Sequence, residues 1–233
     1  MTSREILDWR GERIRLTQWR DDSELGFLIP VPGSRRPTPE GLRHILVSAE
    51  EHGFTQIVTS ALMGSELDAY MAAGFEHKER LHLLKHDLHL EPMAPRQDLR
   101  RAKRSDRPSI LEIDALTFDD FWRFDTQGLR QALAAAATSR FRVADHQGRV
   151  VGYAITGKTA SSGYVQRLGV HPDFQGRGLG KALLLDSLHW LKRRHCRQAS
   201  VNTQLKNLTA LALYEHMGFV RQNDGLYVLC WSR

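Results

Sequence analysis

Residues 175–181 form a glycine-rich segment, Gln-Gly-Arg-Gly-Leu-Gly-Lys, between a predicted strand and a predicted helix. Its glycines and cations are Gly176, Gly178, Gly180, Arg177 and Lys181. Glycines let the backbone approach a ligand closely, and the N–H groups at a helix N-terminus attract an anion. The pattern predicts a cradle for a pyrophosphate group. These residues alone leave one alternative open, a glycine-rich helix start that binds no ligand.

Two familiar phosphate-binding motifs do not fit this segment. A Walker loop requires Ser or Thr after Gly-Lys, and Ala182 stands there. A dinucleotide-binding fingerprint requires the spacing G-x-G-x-x-G, which residues 176–180 do not have. The predicted cradle therefore belongs to neither class.

Three segments of the chain resemble the GNAT superfamily of N-acetyltransferases. Residues 175–180 resemble its Q/R-x-x-G-x-G/A acyl-coenzyme A loop, and Leu168-Gly169-Val170-His171-Pro172 resembles the end of its fourth strand. Asn207-x-x-Ala210-x-x-Leu213-Tyr214-x-x-x-Gly218-Phe219 resembles its second signature. The blocks are independent and stand in the family's order and separation. The resemblance covers residues 96–233.

This resemblance implies an α+β fold, a three-layer α/β/α arrangement with a central mixed twisted sheet. It implies transfer of an acetyl group from acetyl-CoA to a primary amine by direct attack, with a backbone N–H polarising the thioester carbonyl. Tyr214 would protonate the departing thiolate, since phenols and thiols have pKa values near 10 and 8.5. An ordinary half-buried helix tyrosine is the alternative for Tyr214. The implied cofactor-binding residues are Leu168, Gly169, Val170, Gln175, Gly176, Arg177, Gly178, Leu179, Gly180, Lys181 and Asn207.

The general base is left open by the sequence. Residues 164–167, Tyr-Val-Gln-Arg, offer no carboxylate on the strand where family members often carry one. His171 has a suitable ordinary pKa, but its place beside Pro172 favours a structural role. A water molecule held by Gln166 or by backbone carbonyls is the other possibility.

Recognition of the amine is expected in residues 117–125, which contain three acids and four aromatic side chains. Acids attract a cationic amine, and aromatic rings stack on it. The expected substrate-binding residues are Asp120, Phe121 and Trp122. The alternative is that Phe118, Phe121 and Trp122 fasten the flanking helices to the core.

The charge distribution predicts two modules. Residues 1–95 carry 11 Lys and Arg against 15 Asp and Glu, a net charge of −4, and the remainder carries +10. Pro92 and Pro95 mark the junction. A basic second half is typical of a protein with an anionic partner, so a nucleic-acid binder using the arginines of residues 96–107 is one alternative. A catalytically idle acyl-CoA sensor or scaffold is another.

The first module resembles a degenerate copy of the second. At an offset of 144 residues, Tyr70, Gly74 and Phe75 align with Tyr214, Gly218 and Phe219. The phosphate loop is missing, because residues 30–39 are rich in proline there. We therefore expect residues 1–93 to be a silent GNAT-like half that packs on a catalytic domain at 96–233.

Two further expectations concern metal ions and location. His82, His86 and His89 would share one face of a helix as a metal set, but the repeat favours a strand, where they are a solvated edge. No metal is expected. Two cysteines, no long apolar run and a charged N-terminus favour a reduced cytoplasmic protein with no membrane partner.

Overall fold

The computed structural model describes residues 5–88 and 98–233. The chain forms two compact units, each built from more than one segment of the sequence. Unit 1 comprises residues 1–83, 204–206 and 222–233, and unit 2 comprises residues 84–203 and 207–221. Within the described residues, no helix is long and apolar enough to cross a membrane.

Unit 1 contains a sheet whose strand order is β1-β2-β3-β4-β13-β6. Its strands are β1 (Glu5–Trp9), β2 (Glu12–Trp19), β3 (Asp22–Pro30), β4 (Gln56–Thr59), β5 (Leu62–Met63), β6 (Glu76–His86) and β13 (Leu226–Ser232), with β5 pairing β13. Its helices are α1 (Pro39–Glu51) and α2 (Leu67–Ala72). The last strand of the chain thus completes the sheet of the first unit.

Unit 2 contains five strands in the order β7-β8-β9-β10-β11. They are β7 (Leu99–Arg101), β8 (Thr138–His146), β9 (Arg149–Thr159), β10 (Ser162–Val170) and β11 (Gln198–Gln204), and a short β12 (Val220–Arg221) follows. The helices are α3 (Arg107–Thr117), α4 (Thr126–Ala134), α5 (Leu179–Arg193) and α6 (Leu208–His216). Only β10 and β11 pair in parallel here; β7, β8, β9 and β10 pair antiparallel.

The helices of unit 2 cover both faces of its sheet. On one face, α3 and α4 pack on Tyr153 and Ile155. On the other face, α5 packs on Val151 and Ala154. Because side chains alternate along a strand, these two helical layers together bury nearly every residue of β9. The expected three-layer α+β architecture is confirmed.

Predicted elements of unit 2 are close to those observed. Leu184, Leu188 and Leu191 at helical spacing predict a helix over Leu179–Arg194, and the observed helix spans Leu179–Arg193. Asp145-His146-Gln147-Gly148 predicts a hairpin turn, and these residues join β8 to β9, with Gly148 at a φ of +79°. The alanine-rich stretch after Thr126 predicts a helix to Ala137, but α4 ends at Ala134 because β8 already begins at Thr138.

The internal repeat has a counterpart in local geometry. The rings of Tyr70 and Phe75 lie 5.3 Å apart, and those of Tyr214 and Phe219 lie 5.8 Å apart. In both places the phenylalanine N–H donates to the tyrosine carbonyl, at 3.1 and 3.0 Å. Gly74 and Gly218 end the two helices with φ near +95° and +85°. The same helix end therefore occurs twice in the chain.

The expectation of a solvated histidine edge is wrong for His86. This residue lies on strand β6 as the repeat favoured, but it is only 3% exposed. Its ring packs 5.2 Å from the ring of Phe219, and its Nδ1 accepts a hydrogen bond from Leu88 N–H. Burial lowers the pKa of His86, so the ring is neutral at pH 7. His89 lies outside the described residues.

A fragment of residues 96–233 is expected to be less soluble and to melt lower than the full chain. Leu84 and Leu88 lie in the hydrophobic core of unit 2, and the fragment lacks both. It also leaves strand β13 without its partners β4 and β6. Thermal melts and solubility measurements on the two proteins test this. A soluble and equally stable fragment would contradict it.

Candidate functional site

The two parallel strands of unit 2 separate part of the way along their length. Residues 162–164 of β10 pair with residues 198–200 of β11. Beyond Tyr164, β10 continues to Val170 and β11 continues to Gln204 without further paired residues between them in the described structure. The separation leaves a wedge in which residues 165–170 have no strand partner on the β11 side among the described residues, although the Val170 carbonyl accepts from the Gln175 side chain. Backbone N–H and C=O groups on an unpaired strand edge are available to an extended ligand.

A β-bulge in β10 lies where this wedge opens. The register against β9 shifts between Val165 and Arg167, so Gln166 is the extra residue. Val165 packs in the core on the side of α5 and α6, whereas Arg167 binds Asp114 of α3 on the opposite face. Bulges redirect side chains in this way. The amide oxygen of Gln166 is buried and has no hydrogen-bond partner among the described residues.

The glycine-rich segment leads from the wedge into helix α5. Gly176 and Gly178 have φ of +73° and +80°, a backbone conformation that favours glycine. Gly178 is the N-cap of α5 and supplies no capping side chain. The first N–H groups of a helix have no partner within it, so this N-terminus is open to an anion. The Gln175 amide closes the segment by donating to the Val170 carbonyl at 3.0 Å.

The cations and histidine beside this segment have defined contacts. The Arg177 guanidinium lies 4.9 Å from the ring centroid of Phe174. His171 is buried, and its Nδ1 accepts a hydrogen bond from Asp173 N–H at 3.3 Å. These contacts give His171 the structural role that the sequence favoured. Lys181 lies in the first turn of α5 and is partly exposed.

Tyr214 lies on α6 and is 6% exposed. Burial raises the pKa of its phenol to about 12, and the positive charge of Arg167 opposes that rise. The phenol is therefore protonated at neutral pH. Asn207 caps the same helix, since its amide oxygen accepts from Ala210 N–H at 3.1 Å.

The loop between α3 and α4 divides its aromatic side chains between two environments. Phe118 and Phe124 lie against the Arg167 guanidinium, with ring centroids at 3.3 and 4.2 Å. Phe121 and Trp122 are partly exposed and pack edge to face, 4.9 Å apart. All four rings are partly exposed, and the two pairs differ in their contacts, since the first pair stacks on Arg167 and the second packs on itself. Asp120 is exposed beside Arg123 at 3.1 Å.

Sequence reasoning missed a buried cluster of Asp114, Tyr153 and Arg167. The Asp114 carboxylate is fully buried and accepts hydrogen bonds from both other side chains. These residues belong to three different elements, and no local motif joins them. No pattern in the sequence indicated the bulge at Gln166. Without a bulge, regular alternation would have placed residues 165 and 167 on the same face of the sheet.

The corresponding region of unit 1 is closed by the chain itself. Strands β3 and β4 pair in parallel from Leu25 to Leu28, and Ser60 N–H adds a bond to the Leu28 carbonyl at 2.9 Å. These two strands therefore stay together to the end of β4, where the strands of unit 2 have separated.

The N-terminus of α1 in unit 1 is also occupied. The buried Glu12 carboxylate accepts from Thr38 N–H at 2.9 Å and from the Thr38 hydroxyl at 2.8 Å. Thr38 in turn caps the helix by accepting from Gly41 N–H. A Cβ at Gly41 would lie 2.0 Å from a Glu12 carboxylate oxygen, so only glycine leaves room for the carboxylate.

The fold is that of GNAT N-acetyltransferases, and comparison with known proteins adds a family match. Residues 107–219 match the acetyltransferase (GNAT) family. The matching segment makes up just under half of the chain. The match lies within unit 2, apart from the short segment 204–206.

Two proteins of similar sequence extend this comparison. The chain is 33% identical to mycothiol acetyltransferase of Saccharomonospora viridis over 133 residues, 49% of this chain and 42% of that protein. It is 37% identical to N-alpha-acetyltransferase 30 of Saccharomyces cerevisiae over 59 residues, 25% of this chain and 34% of that protein. The chain thus spans less than half the length of these relatives.

One solved structure has a similar fold over nearly the whole chain. It is a tandem GNAT protein from the clavulanic acid biosynthesis pathway, with a TM-score of 0.69 and 18% identity. The similarity covers 95% of this chain and 78% of that one.

Proposed function

We propose that the protein is an N-acetyltransferase that moves the acetyl group of acetyl-CoA to a primary amine by direct attack. One observation carries the proposal: the wedge between β10 and β11 opens beside the uncapped, glycine-rich N-terminus of α5. The extended pantetheine arm of acetyl-CoA fits the wedge, and its doubly anionic pyrophosphate fits the helix N-terminus. The names of the two relatives, both acetyltransferases, support the reaction type.

Each part of the cofactor has a proposed binding region. The backbone N–H groups of residues 176–181 hold the pyrophosphate, aided by the charges of Arg177 and Lys181, while the N–H of Gln175 donates to the Pro172 carbonyl. The free edge at Leu168, Gly169 and Val170 binds the pantetheine arm. An N–H there polarises the thioester carbonyl, a contribution of roughly 2.7–4 kcal/mol per donor in studied enzymes. The amide nitrogen of Asn207 remains for the cofactor, since its oxygen caps α6.

Tyr214 is the proposed general acid. Its raised pKa of about 12 keeps the proton in place until the thioester breaks. The same value makes full transfer of the proton to a thiolate unfavourable by roughly 3–4 pKa units, unless a positive charge stabilises the phenolate. Arg167 supplies a charge of that sign. The unpartnered oxygen of Gln166 supports the role of this residue in holding a water that accepts the amine proton.

The two halves have different roles in this proposal. Residues 96–233 form the catalytic domain, and residues 1–93 form a degenerate half with no second cofactor site. The occupied helix terminus and the paired strands of unit 1 support that division. We therefore expect one acetyl-CoA per chain.

Calorimetry with acetyl-CoA, followed by a thiol-release assay on a panel of amines, tests the proposed function. The panel contains spermidine, an amino sugar, lysine methyl ester and short peptides with free N-termini. Binding with turnover of any of them supports the proposal. Binding without turnover on any of them would favour an idle acyl-CoA sensor or scaffold. A salt-sensitive shift with DNA and no cofactor binding would favour a nucleic-acid binder, although Arg100 of the basic run is held in ion pairs with Asp106 and Asp145.

Replacing Glu12 by Gln is expected to destabilise the protein by about 1–2 kcal/mol, because the charged acceptor at the α1 terminus is lost. The stoichiometry of acetyl-CoA should stay at one. Denaturant unfolding and calorimetry measure the two quantities. Glu40→Gln is the matched control, since this exposed acid lies in the first turn of the same helix. A second acetyl-CoA bound per wild-type chain, or equal losses from both variants, would contradict the assignment.

A further inference from the structure

We propose that Arg167 is a positioning residue that fixes the α3–α4 loop as the amine-binding surface of the site. The inference rests on the proposed function. It follows from the way in which the loop, residues 118–124, folds around one buried guanidinium group.

The polar contacts of Arg167 join the strand to both the helix and the loop. Its Nε and Nη2 atoms donate to the two oxygens of Asp114, each at 2.8 Å. Nη2 also donates to the carbonyl of Trp122 at 2.7 Å. The Asp114 carboxylate additionally accepts from the N–H of Phe124. The C-terminal end of the loop, at Trp122 and Phe124, is therefore held by one ion pair.

The stacking contacts place the guanidinium between the first and last aromatic residues of the loop. Phe118 and Phe124 lie on it at 3.3 and 4.2 Å. A planar guanidinium supports bidentate bonding and ring stacking together, which a lysine ammonium does not. Because its charge is paired with the buried Asp114 carboxylate, Arg167 is not a free cation for an anionic substrate. The exposed residues of the loop are left to meet the acceptor.

The loop carries Asp119 and Asp120 against Arg123, which pairs with Asp120 at 3.1 Å, so its net negative charge favours an amine that is cationic or carries a neighbouring apolar group. Asp120 has a side chain that is 92% exposed, and Phe121 and Trp122 are partly exposed. Acids attract a cation, and aromatic edges and faces accept its apolar neighbours. If the ends of the loop were released, neither the acidic nor the aromatic side chains would be held in a fixed place.

The bulge at Gln166 connects this loop to the reaction. It turns Arg167 toward α3 at the point where the wedge opens, and it leaves Leu168 on the opposite face, against the core of α5. Small displacements at a reacting centre cost large factors in rate. A loss of Arg167 is thus expected to act on acceptor binding while leaving the phosphate cradle intact.

The test compares Arg167→Lys with Arg140→Lys. Arg140 forms the same kind of bidentate pair, with Asp186 of α5 at 2.7 and 2.8 Å, but on the other face of the sheet. We expect Arg167→Lys to raise KM for the amine that the panel identifies by about 10- to 100-fold. Its Kd for acetyl-CoA should stay within about twofold of wild type. Arg140→Lys should lower the melting temperature with no change in KM.

Hydrogen–deuterium exchange gives a second readout that needs no acceptor. Arg167→Lys should speed exchange of the amides of residues 118–124, and Arg140→Lys should not. Phe118→Leu, a milder change that removes one stacked ring, should shift KM in the same direction if Arg167→Lys fails to fold. Equal KM and equal exchange in the Arg167 and Arg140 variants would overturn the inference. Failure of the wild type to bind acetyl-CoA would overturn the proposed function instead, and the exchange data would still decide whether Arg167 holds the loop.

Discussion

Tyr214→Phe is expected to slow turnover by roughly 10²–10⁴-fold while acetyl-CoA binds as in the wild type. The substitution removes only the phenol oxygen from a buried side chain that packs against Phe219. The loss should therefore appear in kcat and not in the Kd measured by calorimetry. Equal cofactor affinity with unchanged kcat would show that another group protonates the thiolate.

Tyr70→Phe is the matched control for this experiment. Tyr70 occupies the corresponding place in unit 1, is 1% exposed, and its hydroxyl has no partner among the described residues. Removing an unsatisfied buried hydroxyl is neutral or stabilising, so turnover should not change and the melting temperature should stay or rise. Equal loss of turnover from both substitutions would mean that unit 1 also catalyses.

The pH dependence of Tyr214 has a definite sign. Burial raises its pKa from about 10 to about 12, so the neutral phenol is favoured in the folded protein. Its contribution to stability is complete below pH 10 and is lost as the pH rises toward 12. The kcat/KM profile of the wild type should accordingly show no falling limb from Tyr214 below about pH 11.

Gly178→Glu is expected to abolish binding of acetyl-CoA. The new carboxylate would stand at the N-terminus of α5, where the proposal puts the pyrophosphate, and like charges repel at that distance. A Cβ at Gly178 has nothing within 4 Å, so loss of affinity would not come from a clash with the protein. Calorimetry on the folded variant should find no binding, and unchanged affinity would refute the cradle.

Gly33→Glu controls for the cost of the substitution itself. Gly33 has a φ of +82°, close to the +80° of Gly178, and a Cβ there also has nothing within 4 Å. Both variants introduce the same side chain, the same backbone strain and the same charge into a loop that precedes a helix. Only Gly178→Glu should lose the cofactor.

The sequence by itself determined the elements of unit 2 and the backbone part of the candidate site. Periodic apolar residues defined helix α5, and Gly176 and Gly178 marked the two positions with positive φ. These features depend on residues near one another in the chain, where spacing and glycine content decide the local conformation. The repeated tyrosine and phenylalanine likewise indicated the helix end that occurs twice.

Only the tertiary structure decided which distant residues meet. Arg167 and Asp114 are brought together by the bulge at Gln166, and a period of two residues predicts the wrong face for Arg167. Glu12 reaches the N-terminus of α1 from strand β2, which no local pattern indicates. The last strand, β13, joins the sheet of unit 1, although it follows directly on unit 2 in the chain. In each case the partner lies far along the chain, so its choice depends on packing and register in the folded protein, which local sequence patterns do not specify.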